Sequence, residues 1–163
     1  MSGLTITTPG DREIQVTRVF DAPRALVWKA LTTPDLLEQW LGFGPPWTMP
    51  VCEMDARPGG AYRYVWRNEE DGSEMGMGGT IEEVHAPERM VCTERFDHPW
   101  YDGDALITQV LTEQAGKTTL TFTMRYDSQE IRDGVAQSGA TSGMEVSYDR
   151  LAALVEKQPA GRA

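Results

Sequence analysis

The sequence of 163 residues predicts an α+β fold, in which an antiparallel sheet carries its helices on one side. Two short helical segments directly follow the first predicted strand, six more strand-like segments come next, and a long amphipathic segment follows them. Hairpin-length connections make the sheet antiparallel. Because a sheet of seven strands twists and curls, its concave face is available to bury the last helix.

The two tandem helices are predicted directly after the first strand. Phe20 closes an alternating run that begins at Glu13, and Pro23 suits the first turn of a helix because no N–H donor is needed there. Thr33 is the expected N-cap of the second helix, with Asp35 in its positively charged first turn. Two short helices in this position are unusual and therefore narrow the choice of fold.

Alternating apolar and polar residues predict the strands, and Gly, Pro and Asp-Gly turns separate them. The glycines near residue 78 suggest a bend or bulge, which leaves open the strand faces on which Met77 and Phe96 lie. Strands are expected over residues 13–20, 51–56, 61–68, 74–85, 89–98, 104–113 and 117–127.

The last predicted element is a long helix, because Met144, Tyr148, Leu151 and Val155 form one apolar stripe at helical spacing. Glycines weaken its first half, so a firm helix is expected only over residues 143–157.

The predicted domain organisation has three parts. Residues 1–11 are expected to be flexible, adding at most an edge strand, and 12–157 form one domain. Residues 158–163 are expected to form a flexible tail.

Charge and composition limit the classes of partner. Fifteen basic and twenty-five acidic residues give a net charge of −10, which repels nucleic acids and anionic membranes. No apolar run approaches the roughly 20 residues of a membrane span, and no signal peptide is visible. Cys52 and Cys92 are interpreted as buried free thiols, so a cytoplasmic location is expected.

Residue types suited to catalysis are few. His98 lies beside Asp97, but neighbours on a strand point to opposite faces, which disfavours an acid–base pair. His85 precedes a turn and is interpreted as a surface residue. No spacing of Cys, His or carboxylates indicates a metal site, and no cofactor is expected.

Several segments resemble the activator-of-heat-shock-protein-90-ATPase homologue-like family, within the START/birch-pollen-allergen (SRPBCC) superfamily. The match covers about residues 12–157, and its most specific part is the opening motif. The matching segments are Phe20-Asp21-Ala22-Pro23, Val27 to Thr32, Pro34, Trp40, Arg57 to Gly60, Asp71-Gly72, Gly79, Ala86 to Arg89, Gly139, Gly143 and Leu151.

The resemblance implies a helix-grip fold, with a seven-stranded antiparallel sheet around a long C-terminal helix and a cavity between them. It also implies either binding of hydrophobic small molecules or stimulation of the chaperone ATPase, with a role in the stress response. Met144 departs from the family pattern, which often has Trp there, so the cavity is expected to be larger or more pliable.

Aromatic and methionine side chains indicate where such a cavity would lie. A solid core and a cavity of roughly 300–1,000 Å³ are both compatible with the pattern, but buried tyrosine hydroxyls need partners, which favours a ligand or water. The candidate ligand-binding residues are Trp40, Phe43, Tyr62, Tyr64, Trp66, Met77, Phe96, Phe122, Met124, Tyr126, Met144 and Tyr148.

Three functions are therefore open. The first is non-catalytic binding of a hydrophobic or aromatic small molecule. The second is a chaperone co-factor, which rests on the family name alone. The third is an enzyme that acts on a polyketide-like substrate through Tyr64 or His98. The protein is expected to be a monomer or a homodimer.

Overall fold

Eight antiparallel strands form one sheet in the computed structural model, which describes residues 4–156 apart from the side chains of 140–142. The expected tail, 158–163, lies outside the described residues. The strands are β1 (Thr5–Thr7), β2 (Glu13–Phe20), β3 (Trp47–Met54), β4 (Ala61–Asn68), β5 (Glu74–His85), β6 (Arg89–Phe96), β7 (Ala105–Gln114) and β8 (Lys117–Arg125), in the spatial order β1-β2-β8-β7-β6-β5-β4-β3. The helices are α1 (Arg24–Thr32), α2 (Pro34–Leu41), α3 (Gln129–Gln137) and α4 (Ala140–Glu156).

The predicted α+β class is confirmed, but the predicted number of strands is wrong by one. The additional strand is β1, which pairs with β2 and places Ile6 opposite Val16. It is short, and its residues are exposed, so the sequence has too few apolar residues there to show whether pairing occurs. The segment 1–11, expected to be flexible, therefore contains an edge strand.

The core side of the sheet is built by alternate residues. Along β2, Ile14, Val16 and Phe20 are fully buried, as the alternation predicts. Arg18 occupies the same face and is also buried, with 5% of its surface exposed. A charged residue at such a position needs a nearby partner, and Asp149 of α4 supplies it.

The C-terminal helical region is two helices rather than one helix with a loose start. Ser128 caps α3 by accepting a hydrogen bond from the backbone N–H of Ile131 at 3.2 Å. Gly139 has a φ of +85°, which interrupts the helical path between α3 and α4. The apolar stripe of α4 is buried as predicted, through Tyr148, Leu151 and Val155.

The contact between Arg18 and Asp149 ties α4 to the sheet. Nη1 of Arg18 donates to Oδ1 of Asp149 at 2.6 Å, and the guanidinium lies 5.5 Å from the centroid of the Phe20 ring. Arg18 is buried while the Asp149 side chain is 64% exposed. Solvent therefore weakens the attraction, but loss of Asp149 leaves a buried charge without this partner.

We predict that Asp149→Ala lowers the free energy of unfolding by about 1–3 kcal/mol, the usual cost of removing a partner from a buried polar group. In an Arg18→Met background, where an unbranched apolar side chain replaces the charged one, the same substitution should cost close to nothing. Urea unfolding of the four proteins measures both effects. Equal costs of Asp149→Ala in the two backgrounds would show that the ion pair does not hold the helix.

Candidate functional site

A cavity of about 740 Å³ lies between the concave face of the sheet and helices α2, α3 and α4. The interior is therefore not filled by side chains. All twelve candidate residues predicted from the sequence line this cavity: Trp40, Phe43, Tyr62, Tyr64, Trp66, Met77, Phe96, Phe122, Met124, Tyr126, Met144 and Tyr148.

Strand alternation positions one wall of the cavity. Tyr62, Tyr64 and Trp66 are alternate residues of β4, so all three point to the concave face. The rings of Tyr62 and Tyr64 lie 5.3 Å apart, and those of Tyr64 and Trp66 lie 6.1 Å apart. The result is a continuous aromatic surface along one strand.

The register between β5 and β6 settles the faces of Met77 and Phe96. The two residues pair directly, and both line the cavity. The expected irregularity exists, but it lies between Ile81 and Glu83 and so beyond this pair. It therefore does not alter the side chains that reach the cavity at this end of the strands.

The tryptophans are fixed by hydrogen bonds to carbonyl groups of the two short helices. Nε1 of Trp40 donates to the carbonyl of Ala30 at 2.9 Å, and Nε1 of Trp66 donates to that of Leu41 at 3.1 Å. Phe43 stacks on Trp66, with ring centroids 5.6 Å apart. The tandem helices thus hold the rings of this wall in place.

The tyrosine hydroxyls differ in their partners. Tyr62 donates to the carbonyl of Thr93 at 2.6 Å, and Tyr126 contacts the sulfur of Met124 at 3.5 Å. Tyr64 and Tyr148 are 8% and 3% exposed, and their hydroxyls have no hydrogen-bond partner within residues 4–156. Two hydroxyl groups inside the cavity are therefore available to a bound molecule.

Burial keeps these tyrosines protonated. Desolvation is the main cause that raises the pKa values of Tyr62, Tyr64, Tyr126 and Tyr148 above the ordinary value. A further contribution for the first three comes from the carboxylate of Glu94. The hydroxyls can therefore act as hydrogen-bond donors at neutral pH, and not as bases.

The sequence pattern did not single out Glu94, which lines the cavity from β6. It shares a strand face with Met90, Cys92 and Phe96, all of which line the cavity as well. The sequence did contain a signal for this residue, because Glu94 is the one carboxylate among the alternate residues 90, 92, 94 and 96, which are otherwise apolar. The residue is partly buried, and desolvation raises the pKa of its carboxyl to about 7.

Two further carboxylates at the cavity already have partners. Asp97 accepts two hydrogen bonds from the guanidinium of Arg63, at 2.6 and 2.7 Å. Glu74 accepts from Arg67 at 2.7 Å. His98, the residue considered for an acid–base pair with Asp97, is exposed where it lines the cavity. The strongest contacts of Asp97 are thus with Arg63.

Burial also affects the two cysteine thiols. Burial raises the pKa of Cys52 to about 11 and that of Cys92 to about 12, so both thiols are protonated at neutral pH. Within residues 4–156, no three His, Cys, Asp or Glu residues come together in a group that could hold a metal ion.

None of the described helices combines the length and apolarity needed to cross a membrane.

An exposed aromatic side chain forms part of the cavity lining. Trp100 lines the cavity but is 61% exposed, and its ring packs against Gly134 of α3. A Cβ atom on Gly134 would overlap this ring. Gly139 also lines the cavity, so the α3–α4 junction and the Trp100 loop both contribute to its lining.

We predict that the stability of the protein depends on pH through Glu94. At pH values between about 4.3, the ordinary pKa of a glutamate, and about 7, the unfolded chain has released a proton that the folded protein retains. The stabilising contribution is present at low pH and is lost as pH rises through 7. Between pH 5 and pH 8, Glu94→Gln should gain stability relative to wild type by on the order of 1–3 kcal/mol.

Urea unfolding at the two pH values measures this difference. Glu82→Gln, at an exposed position of β5 outside the cavity lining, is the matched control for loss of one negative charge. A stability difference between Glu94→Gln and wild type that stays constant from pH 5 to pH 8 would contradict the prediction.

Solved structures show the same architecture. A protein from Rhodobacter sphaeroides is 30% identical, with a TM-score of 0.88 over 96% of this chain and 99% of that one. A protein from Chromobacterium violaceum is 31% identical, with a TM-score of 0.74 over 90% and 99% of the two chains. Protein Ms6760 from Mycobacterium smegmatis, at 24% identity and a TM-score of 0.82 over 95% and 98%, shares the fold. None of the curated proteins compared with the chain matches it.

The family comparison agrees with the resemblance found in the sequence. The model of the family described as Activator of Hsp90 ATPase homolog 1-like protein matches residues 21–156. This range begins at the turn before α1 and ends with the last residue of α4, so it includes every element that lines the cavity. The chain belongs to the family of Activator of Hsp90 ATPase homolog 1-like proteins.

Proposed function

We propose that this protein binds a hydrophobic or aromatic small molecule in the cavity between its sheet and its C-terminal helix, without changing it chemically. The cavity itself is the observation that carries the proposal. Its volume of about 740 Å³ lies within the range of roughly 300–1,000 Å³ that is usual for small-ligand sites. Burial of about 300 Å² of apolar ligand surface would contribute about 7.5 kcal/mol before the entropic cost of binding.

The polar groups in the lining support a ligand that is oriented as well as buried. The hydroxyls of Tyr64 and Tyr148 lack partners within the described chain, while the indole N–H groups of Trp40 and Trp66 are already used. An apolar cavity with a few convergent polar groups is the usual composition of a small-molecule site.

Binding without catalysis fits the chemistry of the lining better than an enzyme does. The Cys92 thiol is protonated at neutral pH, and the carboxylate of Asp97 is held by Arg63 rather than by His98. The tyrosines have raised pKa values and do not serve as bases. We place this function in the cytoplasm, since Cys52 and Cys92 are both free thiols.

Stimulation of the Hsp90 ATPase is a second candidate, which the family description favours. Titration of the protein into purified Hsp90 while ATP hydrolysis is followed separates the two candidates. From the primary proposal we expect the ATPase rate to remain constant. A rise in rate that saturates with the concentration of this protein would favour the second candidate.

We predict that filling the cavity weakens ligand binding. Met144→Trp places a larger ring in the lining, at a position that is partly buried on α4. Loss of contact equal to two methylene groups, about 0.8 kcal/mol each, weakens binding about tenfold. Fluorescence titration with the neutral probe N-phenyl-1-naphthylamine measures the affinity.

Val146→Trp is the matched control, because Val146 lies on the same helix but is 53% exposed and outside the lining. This variant should bind the probe as the wild type does. Equal affinity of wild type and Met144→Trp would show that the probe binds elsewhere, and no binding to the wild type would count against the proposed function.

A further inference from the structure

We propose that the ligand carries a positively charged nitrogen that binds at Glu94, with the apolar part of the molecule in the aromatic region of the cavity. This inference rests on the proposed function and specifies the chemical class of the ligand. It requires a compound with an aromatic or aliphatic body and a basic amine.

The distribution of charge in the lining points to a cation. Three carboxylates line the cavity, those of Glu74, Glu94 and Asp97, and none of the described lining residues is Lys or Arg. Arg67 and Arg63 neutralise the first and the third of these carboxylates. The carboxylate of Glu94 forms no ion pair and no hydrogen bond with another side chain or backbone group within residues 4–156. It is therefore the carboxylate whose charge a ligand can neutralise.

Within the described part of the chain, no positively charged side chain is found beside Glu94. Desolvation is the only cause that shifts the pKa of this carboxyl, so no neighbouring positive charge lowers it. Its carboxylate raises the pKa values of tyrosines in β4, in the loop after β6 and directly after β8, and that of Cys92 on its own strand. The groups that face it are Tyr62, Tyr64, Cys92, Tyr101 and Tyr126, with Glu74, Asp97 and His98 elsewhere in the lining.

The aromatic rings around Glu94 suit a cation as well. An ammonium group within about 6 Å of a tyrosine or tryptophan ring is attracted by the negative face of the ring. The hydroxyl oxygen of Tyr64, a ring that the charge of Glu94 reaches, can accept a hydrogen bond from the same ammonium group. A buried carboxylate without a partner destabilises the folded protein. A cationic ligand would supply that partner when it binds.

The charge of the whole chain acts in the same direction. A net charge of −10 attracts cations and repels anions at long range. An anionic ligand would have to overcome this repulsion and then lie beside Glu94 in a cavity lining that provides no Lys or Arg within the described chain.

Three naphthalene compounds of similar size test the inference at pH 8, where Glu94 is ionised. They are 2-(1-naphthyl)ethylamine, 1-ethylnaphthalene and 1-naphthaleneacetate, each used to displace N-phenyl-1-naphthylamine. We expect the wild type to bind the amine at least about tenfold more tightly than the neutral compound, and the acetate most weakly. Glu94→Gln should lose the preference for the amine and keep its affinity for the neutral compound.

Glu82→Gln controls for the loss of one charge and should keep the preference of the wild type. Equal binding of the amine and the neutral compound, or a preference for the amine that persists in Glu94→Gln, would overturn the inference and leave the proposed function intact. If neither the probe nor any of the three compounds binds the wild type, the proposed function fails, and the inference fails with it.

Discussion

The packing of α4 against the concave face of the sheet is the constraint on which the rest of the structure depends. At one end of this contact the fit is tight, because Leu151 and Val155 are buried against the core and Arg18 of β2 reaches Asp149. At the other end Met144 and Tyr148 border the cavity instead of filling it. One half of the helix therefore packs against the core, and the other half forms part of the cavity wall.

A cavity is costly for a protein, because the groups that line it lose packing contacts. The walls compensate through anchored rings. Trp40 and Trp66 bond to carbonyls of α1 and α2, and Phe43 stacks on Trp66. The tandem helices thus have two roles, since they cover the sheet and also hold the rings that keep the cavity open. A pre-formed apolar wall would reduce the ordering cost of binding for a ligand of the proposed kind.

The sequence was sufficient to predict the side chains that face the cavity, because strand alternation depends only on local geometry. Tyr62, Tyr64 and Trp66 follow from this alternation, and so does the burial of Tyr148 and Leu151 on the helical stripe. Whether the space between them was filled could not be predicted, because that depends on the distance between the helix and the sheet. The short strand β1 was expected only as a possible edge strand and was not counted in the sheet, because its pairing with β2 is a tertiary contact that leaves its own residues exposed.

Glu94 shows a different limit of sequence reasoning. Its place on the strand face was visible, but a glutamate in a strand is most often at the surface, and the charges around it are set by residues distant in sequence. Arg63 and Arg67 lie on β4, and each neutralises a carboxylate that would otherwise resemble Glu94. Only the folded sheet shows which of the three carboxylates remains without a partner within the described chain. The chemical character of the cavity thus depends on long-range pairing, whereas its aromatic lining is a local property of the strands.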